Sequence, residues 1–165
     1  MNKQIIFIAG APGTGKSTIA KLLQKKLGSP CFEFGWIPEF RKKDSKTTIP
    51  YEEEESIAFE NLTLVLKNYV KHGFTDIIVT DLEDKRIREL HKNFKNINYS
   101  LVTLIVNDDK ILKSRILKKT RSSKYRDWKN GIKINKEILE RALLPKEIRI
   151  DATKKTKQQI VKELA

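Results

Sequence analysis

Cysteine is almost missing from this chain. Cys31 stands alone, so no internal disulfide framework can staple the fold; it reads as a small strand residue. Long apolar runs are missing too, and none approaches the ~18 residues that a bilayer-spanning helix needs. No leader with a cleavage site is read at the N-terminus, where Met1-Asn2-Lys3-Gln4 runs straight into an apolar stretch. A cytoplasmic location without membrane contact is the expectation from these absences. Histidine is limited to His72 and His91, in polar surroundings and without metal-ligand or triad spacing. No internal repeat and no dividing linker interrupts the 165 residues. Residues 1–165 therefore read as one domain, of a size that buries roughly 70% of its unfolded surface.

Acids are scarce relative to bases. There are 21 Asp and Glu against 34 Lys and Arg, a net charge of +13. That balance favours polyanionic partners such as nucleotides, phosphorylated metabolites or nucleic acid; a lysine-rich solvated surface is the alternative. The excess is concentrated. From Lys110 to Lys133 there are ten basic residues, and Asp127 is the one acid.

What the chain does have is Gly10-Ala11-Pro12-Gly13-Thr14-Gly15-Lys16-Ser17. This is a complete G-x-x-x-x-G-K-[ST] loop, after the apolar run Ile5-Ile6-Phe7-Ile8-Ala9 and before a helical pattern opened by Thr18 and Ile19. Glycines let the backbone wrap an anion closely, because they tolerate positive φ and carry no Cβ. The wrapped N–H groups and the helix N-terminus, from Gly10 to Thr18, form a cradle for phosphate oxygens. Lys16 supplies a point charge for the β- and γ-phosphates, and Ser17 a hydroxyl for Mg²⁺.

The remainder alternates strand and helix. Strands are expected at about 4–9, 31–34, 76–81, 99–106 and 147–151. Helices are expected at about 15–27, from Pro50 to about Val70, at 85–93, 108–119, 136–143 and 156–164. Gly28 is placed as the stop of the first helix. Glu52 to Glu55 sit where the macrodipole of the second favours acids. Residues 42–50 read as a loop, and the pattern breaks between Thr120 and Gly131. Alternation of this kind implies a parallel sheet with helices on both faces.

With the phosphate loop at the N-terminus, five strand-like segments and a basic segment before the last strand, the chain resembles the small P-loop kinases. These are the superfamily of shikimate and gluconate kinases, chloramphenicol phosphotransferase and the nucleoside monophosphate kinases. The resemblance implies an α/β, three-layer αβα P-loop NTPase fold. It implies a five-stranded parallel sheet of order 2-3-1-4-5, and a basic lid at about 115–131 that closes over the nucleotide. It also implies ATP and Mg²⁺.

The roles then distribute as follows. Lys16 and the loop amides hold the phosphates. Mg²⁺ takes Ser17 and a carboxylate at a strand end. Asp81 is the candidate, ending Ile77-Ile78-Val79 beside the first strand, where the wider P-loop class places a Walker-B-like Asp; the alternative is a helix N-cap. Among the lid arginines, the resemblance puts Arg115 on the adenine side and Arg121 or Arg126 on the phosphates, with Arg121 the catalytic candidate. A solvated basic face is the other reading. Tyr125 and Trp128 either stack on a base or anchor the lid to the preceding helix. The similar kinases use an Asp just after strand 2 to deprotonate the acceptor hydroxyl, and no Asp lies between Leu27 and Lys43. Glu39, with Arg41 as an anchor, takes that place, or Glu33 if the second strand ends early.

The leading expectation is an ATP-dependent phosphotransferase acting on a hydroxyl of an unidentified small-molecule acceptor, as a monomer or homodimer. The charge leaves a nucleic-acid 5′-kinase as an alternative, though no additional nucleic-acid-binding motif is present. The missing Asp leaves a non-catalytic ATP-dependent switch. A GTPase reading is weak, since Val106-Asn107-Asp108-Asp109-Lys110 is not an N/T-K-x-D element.

Overall fold

The protein is described by a computed structural model that covers residues 4–36, 49–120 and 123–164. Its centre is β1 (Ile5–Gly10), flanked by β3 (Ile77–Thr80) and β4 (Tyr99–Ile105). β2 (Cys31–Glu33) and β5 (Glu147–Asp151) form the edges, and every pairing is parallel. The order among the described residues is β2-β3-β1-β4-β5, the arrangement expected. The reason lies in the sequence. β1 and β4 are apolar at nearly every position, as a strand buried on both faces must be. β2 and β5 are shorter or more polar and sit at the rims.

Side-chain alternation splits the core into two layers. Phe7, Val79 and Leu101 meet Phe59, Leu62 and Leu66 of α2 (Tyr51–Lys71) and Ile87 and Leu90 of α3 (Asp84–Asn93). On the other face Ile6, Ile8, Val102 and Leu104 meet Ile19 and Leu23 of α1 (Lys16–Leu27). Leu112 and Ile116 of α4 (Asp109–Leu117) and Ile160 and Val161 of α6 (Lys157–Leu164) complete that layer. Phe32 and Phe34 pack against the first layer, as half-buried core residues. Each fully buried aliphatic side chain contributes about 1.5–3 kcal/mol by leaving water. Truncating Leu66, fully buried under α2, would cost about 2–5 kcal/mol.

Three boundaries differ from expectation. α5 spans Trp128–Glu140 rather than beginning near 136. Asp127 caps it, its Oδ1 accepting from Asn130 N at 3.0 Å. Gly131, which read as a break, is instead the point of closest approach to α4: a Cβ there would lie 2.5 Å from Ile116 Cδ1. β3 stops at Thr80, and Asp81 turns out of the strand with φ 72. β2 stops at Glu33, followed by a 3₁₀ turn over Phe34–Trp36.

Candidate active site

β1 delivers the chain to the carboxyl edge of the sheet at Gly10, where the backbone turns with φ 136. A Cβ at this position would run into the Leu104 carbonyl oxygen of β4. At Gly13 (φ 89) a Cβ would lie 2.7 Å from Ile116 Cγ1 and 3.0 Å from Leu112 Cδ1 of α4. The loop is thus packed against β4 on one side and α4 on the other, which leaves glycine as the residue that fits.

The loop closes on the carbonyl of Ala11. Thr14 N (3.3 Å), Thr14 Oγ1 (2.9 Å) and Lys16 Nζ (3.2 Å) all donate to it. Gly15 is the N-cap of α1, left-handed at φ 102, and no side chain caps that helix; its first turn holds no acid. An uncapped helix start with Ser17 and Thr18 in its first turn offers N–H donors and the positive end of the macrodipole to an anion.

Asp81 follows Thr80, which pairs with Ile8 of β1 and donates from Oγ1 to the Ile8 carbonyl at 3.3 Å. The aspartate therefore lies at the carboxyl edge next to the strand that feeds the phosphate loop. It does not cap α3: that helix begins at Asp84 with Glu83 as N-cap. Asp81 is exposed and has no hydrogen-bond or ion-pair partner among the described residues. Glu33 is the last residue of β2 and pairs with the same Thr80. Its charge, after burial, helps raise the Cys31 thiol above its ordinary pKa. Glu33 thus shares the strand side of Cys31, the side on which α1 packs. The short β2, ended by the 3₁₀ turn, is the signal for Glu33. Glu39 and Arg121, like Arg41, lie outside the described residues.

On the opposite half, Arg115 reaches from α4 to the loop after β5. Its Nη2 donates to the carbonyls of Ala152 (2.9 Å) and Thr153 (3.1 Å). A shallow cleft of about 480 Å³ lies beside it, lined by Asn107, Asp108, Asp151, Thr153, Lys154 and Lys155. Partial burial pushes the Asp151 carboxyl up. Hydrogen bonds from the Thr153 side chain and backbone and from Asn107 outweigh it and hold the group below its ordinary pKa. Arg126 folds onto its own loop, donating to the carbonyls of Ser123 and Tyr125. Trp128 lies under Lys113 Nζ at 4.0 Å, and Tyr125 and Trp128 pack against the α1–α4 core. Both aromatics anchor the segment between α4 and α5. Pro12 O lies 3.8 Å from where a Gly131 Cβ would sit, so the first turns of α5 bear on the phosphate loop.

Two ion networks brace the elements that carry the site. Glu55 of α2, almost fully buried, accepts from Arg86 Nε at 2.9 Å and pairs with Lys85 at 2.9 Å, and Arg86 also pairs with Glu89 at 3.0 Å. Glu147 of β5 is gripped by both Arg141 Nη atoms at 2.7 and 2.8 Å, by Thr103 Oγ1 at 2.6 Å and by Leu144 N at 2.8 Å. Burial pushes its carboxyl up. The hydrogen bonds from Arg141, Thr103 and Leu144 overcome this and bring it down to about 2. Arg141 also reaches Asp84 at the start of α3 at 3.3 Å.

A family model described as an AAA domain matches residues 6–140. The chain belongs to this AAA domain family. The match takes in the phosphate loop, Glu33, Asp81, Arg115 and α5. No curated protein matches the sequence significantly. Solved structures do match the fold. The tunicamycin resistance protein of Deinococcus radiodurans is 20% identical, with a TM-score of 0.71 over 99% of this chain and 94% of its own. A sugar kinase from Janibacter sp. HTCC2649 is 16% identical, with a TM-score of 0.68 over 98% and 92%. A gluconokinase from Sinorhizobium meliloti 1021 is 15% identical, with a TM-score of 0.66 over 97% and 88%. The fold is that of the small P-loop kinases. No described helix is long and apolar enough to cross a membrane.

Proposed function

We propose that this chain is a phosphotransferase that moves the γ-phosphate of ATP to a hydroxyl of a small-molecule acceptor. The observation that carries the reading is the uncapped N-terminus of α1 behind a glycine-shaped loop, with Asp81 at the adjoining strand end. Phosphoryl transfer is mainly positioning and charge neutralisation, and this arrangement provides both. The fold likeness to a sugar kinase and a gluconokinase supports a hydroxylated acceptor.

In this reading the amides from Gly10 to Thr18 hold the β- and γ-phosphates, and Lys16 leaves the Ala11 carbonyl to pair with them. Ser17 and Asp81 hold Mg²⁺. A hydroxyl and one carboxylate are hard oxygen donors, and among the described residues no three His, Cys, Asp or Glu converge to hold an ion alone. That donor set suits an ion carried mostly by phosphates and water. Bound there, Mg²⁺ would neutralise charge across the phosphates. Arg115 secures the loop after β5 on the adenine side, and Arg121 supplies charge to the transferring group from the lid at about 115–131. Glu33 orients the acceptor hydroxyl from the end of β2 and Glu39 assists from the segment beyond. In this reading residues 1–165 act as one unit in the cytoplasm.

The test is transfer of labelled γ-phosphate from Mg-ATP into pooled acceptors: sugars and sugar acids, nucleosides and nucleotides, antibiotics, and 5′-hydroxyl oligonucleotides. Label entering a small-molecule pool, lost in Lys16→Ala, is the expected result. Confirmed ATP binding with no transfer into any pool would overturn the reading.

A further inference from the structure

Besides the basic segment from Lys110 to Lys133, lysine is also in excess on one pair of helices. α1 and α6 pack side by side on one face of the sheet, with Ile19 and Leu23 beside Ile160 and Val161 in one core layer. Together they carry six lysines against one carboxylate. That carboxylate, Glu163, is taken by Lys155 at 2.8 Å. α2 and α3, on the opposite face, carry seven carboxylates against six basic residues. Their Lys85, Arg86 and Arg88 are held in ion pairs. Lys21, Lys25, Lys26, Lys157 and Lys162 are exposed and make no ion pair among the described residues.

We propose that the α1–α6 face docks the phosphate backbone of nucleic acid, independently of the site that binds ATP. Both helices follow strands of a parallel sheet, so they run the same way, and they pack side by side with exposed lysines on each. The exposed lysines of α1 run from Lys21 to Lys26, about 7.5 Å along the axis, which matches about two base-pair steps of duplex backbone. The face is charged and not apolar: none of the exposed large hydrophobic side chains lies on α1 or α6. A bilayer-surface helix needs an apolar side to insert, whereas a phosphate backbone needs spaced cations alone. The outer face of these helices is also turned away from the carboxyl ends of β2 and β3, where Glu33 and Asp81 lie. The bound strand is therefore a docking partner and not the phosphate acceptor.

The experiment is fluorescence anisotropy of the full chain with 5′-fluorescein 20-nucleotide single-stranded RNA and a 20-base-pair DNA duplex, between 50 and 200 mM salt. The 5′ dye blocks the hydroxyl, so acceptor chemistry cannot contribute. A triple variant, Lys25→Gln, Lys157→Gln and Lys162→Gln, is compared with Lys71→Gln, Lys92→Gln and Lys95→Gln, which removes the same charge from exposed positions on the α2–α3 side. The expected result is binding that falls steeply with salt, weakened about tenfold by the first triple, with its salt slope reduced by about two to three, and less than twofold by the second. Unchanged melting and ATP binding in both triples separate loss of docking from loss of fold or of the nucleotide site. Equal weakening by both triples, no binding at 50 mM salt, or binding to anionic phosphatidylserine vesicles but not to nucleic acid would each overturn the proposal.

Discussion

Along the carboxyl edge of the sheet, the β1–β4–β5 half and the β2–β3 half present charge by different means. On the first half the framework is backbone, with Lys16 and Ser17 carried on it. The loop from Gly10 to Gly15 is wedged between the Leu104 carbonyl and the α4 side chains, and the uncapped start of α1 supplies the field. On the second half the groups are side chains from separate elements. Glu33 ends β2, Asp81 follows β3, and Glu55, Lys85 and Arg86 tie α2 to α3. A backbone cradle is specified by a contiguous run of residues. A side-chain cluster depends on how strands far apart in sequence are brought into register. In the proposed function the first half grips a group common to all nucleoside triphosphates, and the second distinguishes one acceptor from another.

The largest effect expected on this contrast is that of Lys16→Ala. With the loop intact and its point charge gone, kcat/KM for transfer should fall about a thousandfold. Steady-state kinetics retaining activity within tenfold would mean that the grip lies elsewhere. Next is the network that joins the halves through α5. Arg141→Ala leaves Glu147 buried without its guanidinium partner and should cost about 3 kcal/mol in denaturant unfolding. Its pH dependence has a definite sign. The Glu147 carboxyl lies at about 2, below its ordinary 4.5. The stability it contributes is therefore full above about pH 4.5 and is lost as pH falls toward 2. Melting of the wild type should weaken across that window, and Arg141→Ala should flatten the dependence.

A smaller pair of changes separates the carboxylates. Asp81→Asn should lower kcat about a hundredfold and raise the Mg²⁺ concentration needed for half-maximal rate. Glu33→Gln should change the acceptor KM or the pH profile by about tenfold and leave the KM for ATP unaltered. Identical kinetic signatures for the two would erase the division of the edge into two halves. The smallest effect tests the packing behind the phosphate loop. Gly131→Ala places a Cβ 2.5 Å from Ile116 Cδ1 and should cost about 1 kcal/mol. Ile116→Val, which removes that methyl, should recover most of the cost in a double-mutant cycle.

The strands and most of the helices were legible because their patterns are local. β1 and β4 read as buried from their own residues, and the stop at Gly28 is realised as a left-handed cap with φ 66. The start of α5 was not legible. Asn130 and Gly131 look like a break along the chain, but the Asp127 cap binds Asn130 N and Gly131 fits against Ile116 within the helix. Along the chain Asp81 reads as a site residue, with a helix cap as the alternative. The structure removes the cap reading alone: Asp81 leaves the strand with a left-handed backbone, and α3 starts from Glu83.

By itself the sequence determined the phosphate loop, the alternation that builds the parallel sheet, and the surplus of lysine. Each of these is carried by neighbouring residues or by composition. Only the tertiary structure decided that Glu33 and Asp81 flank one residue, Thr80, at the same edge, that Arg141 binds β5 to α3, and that α1 and α6 pack side by side. These depend on strand register and helix packing between segments tens of residues apart, where the contacts of the whole core set the positions and no local pattern records them.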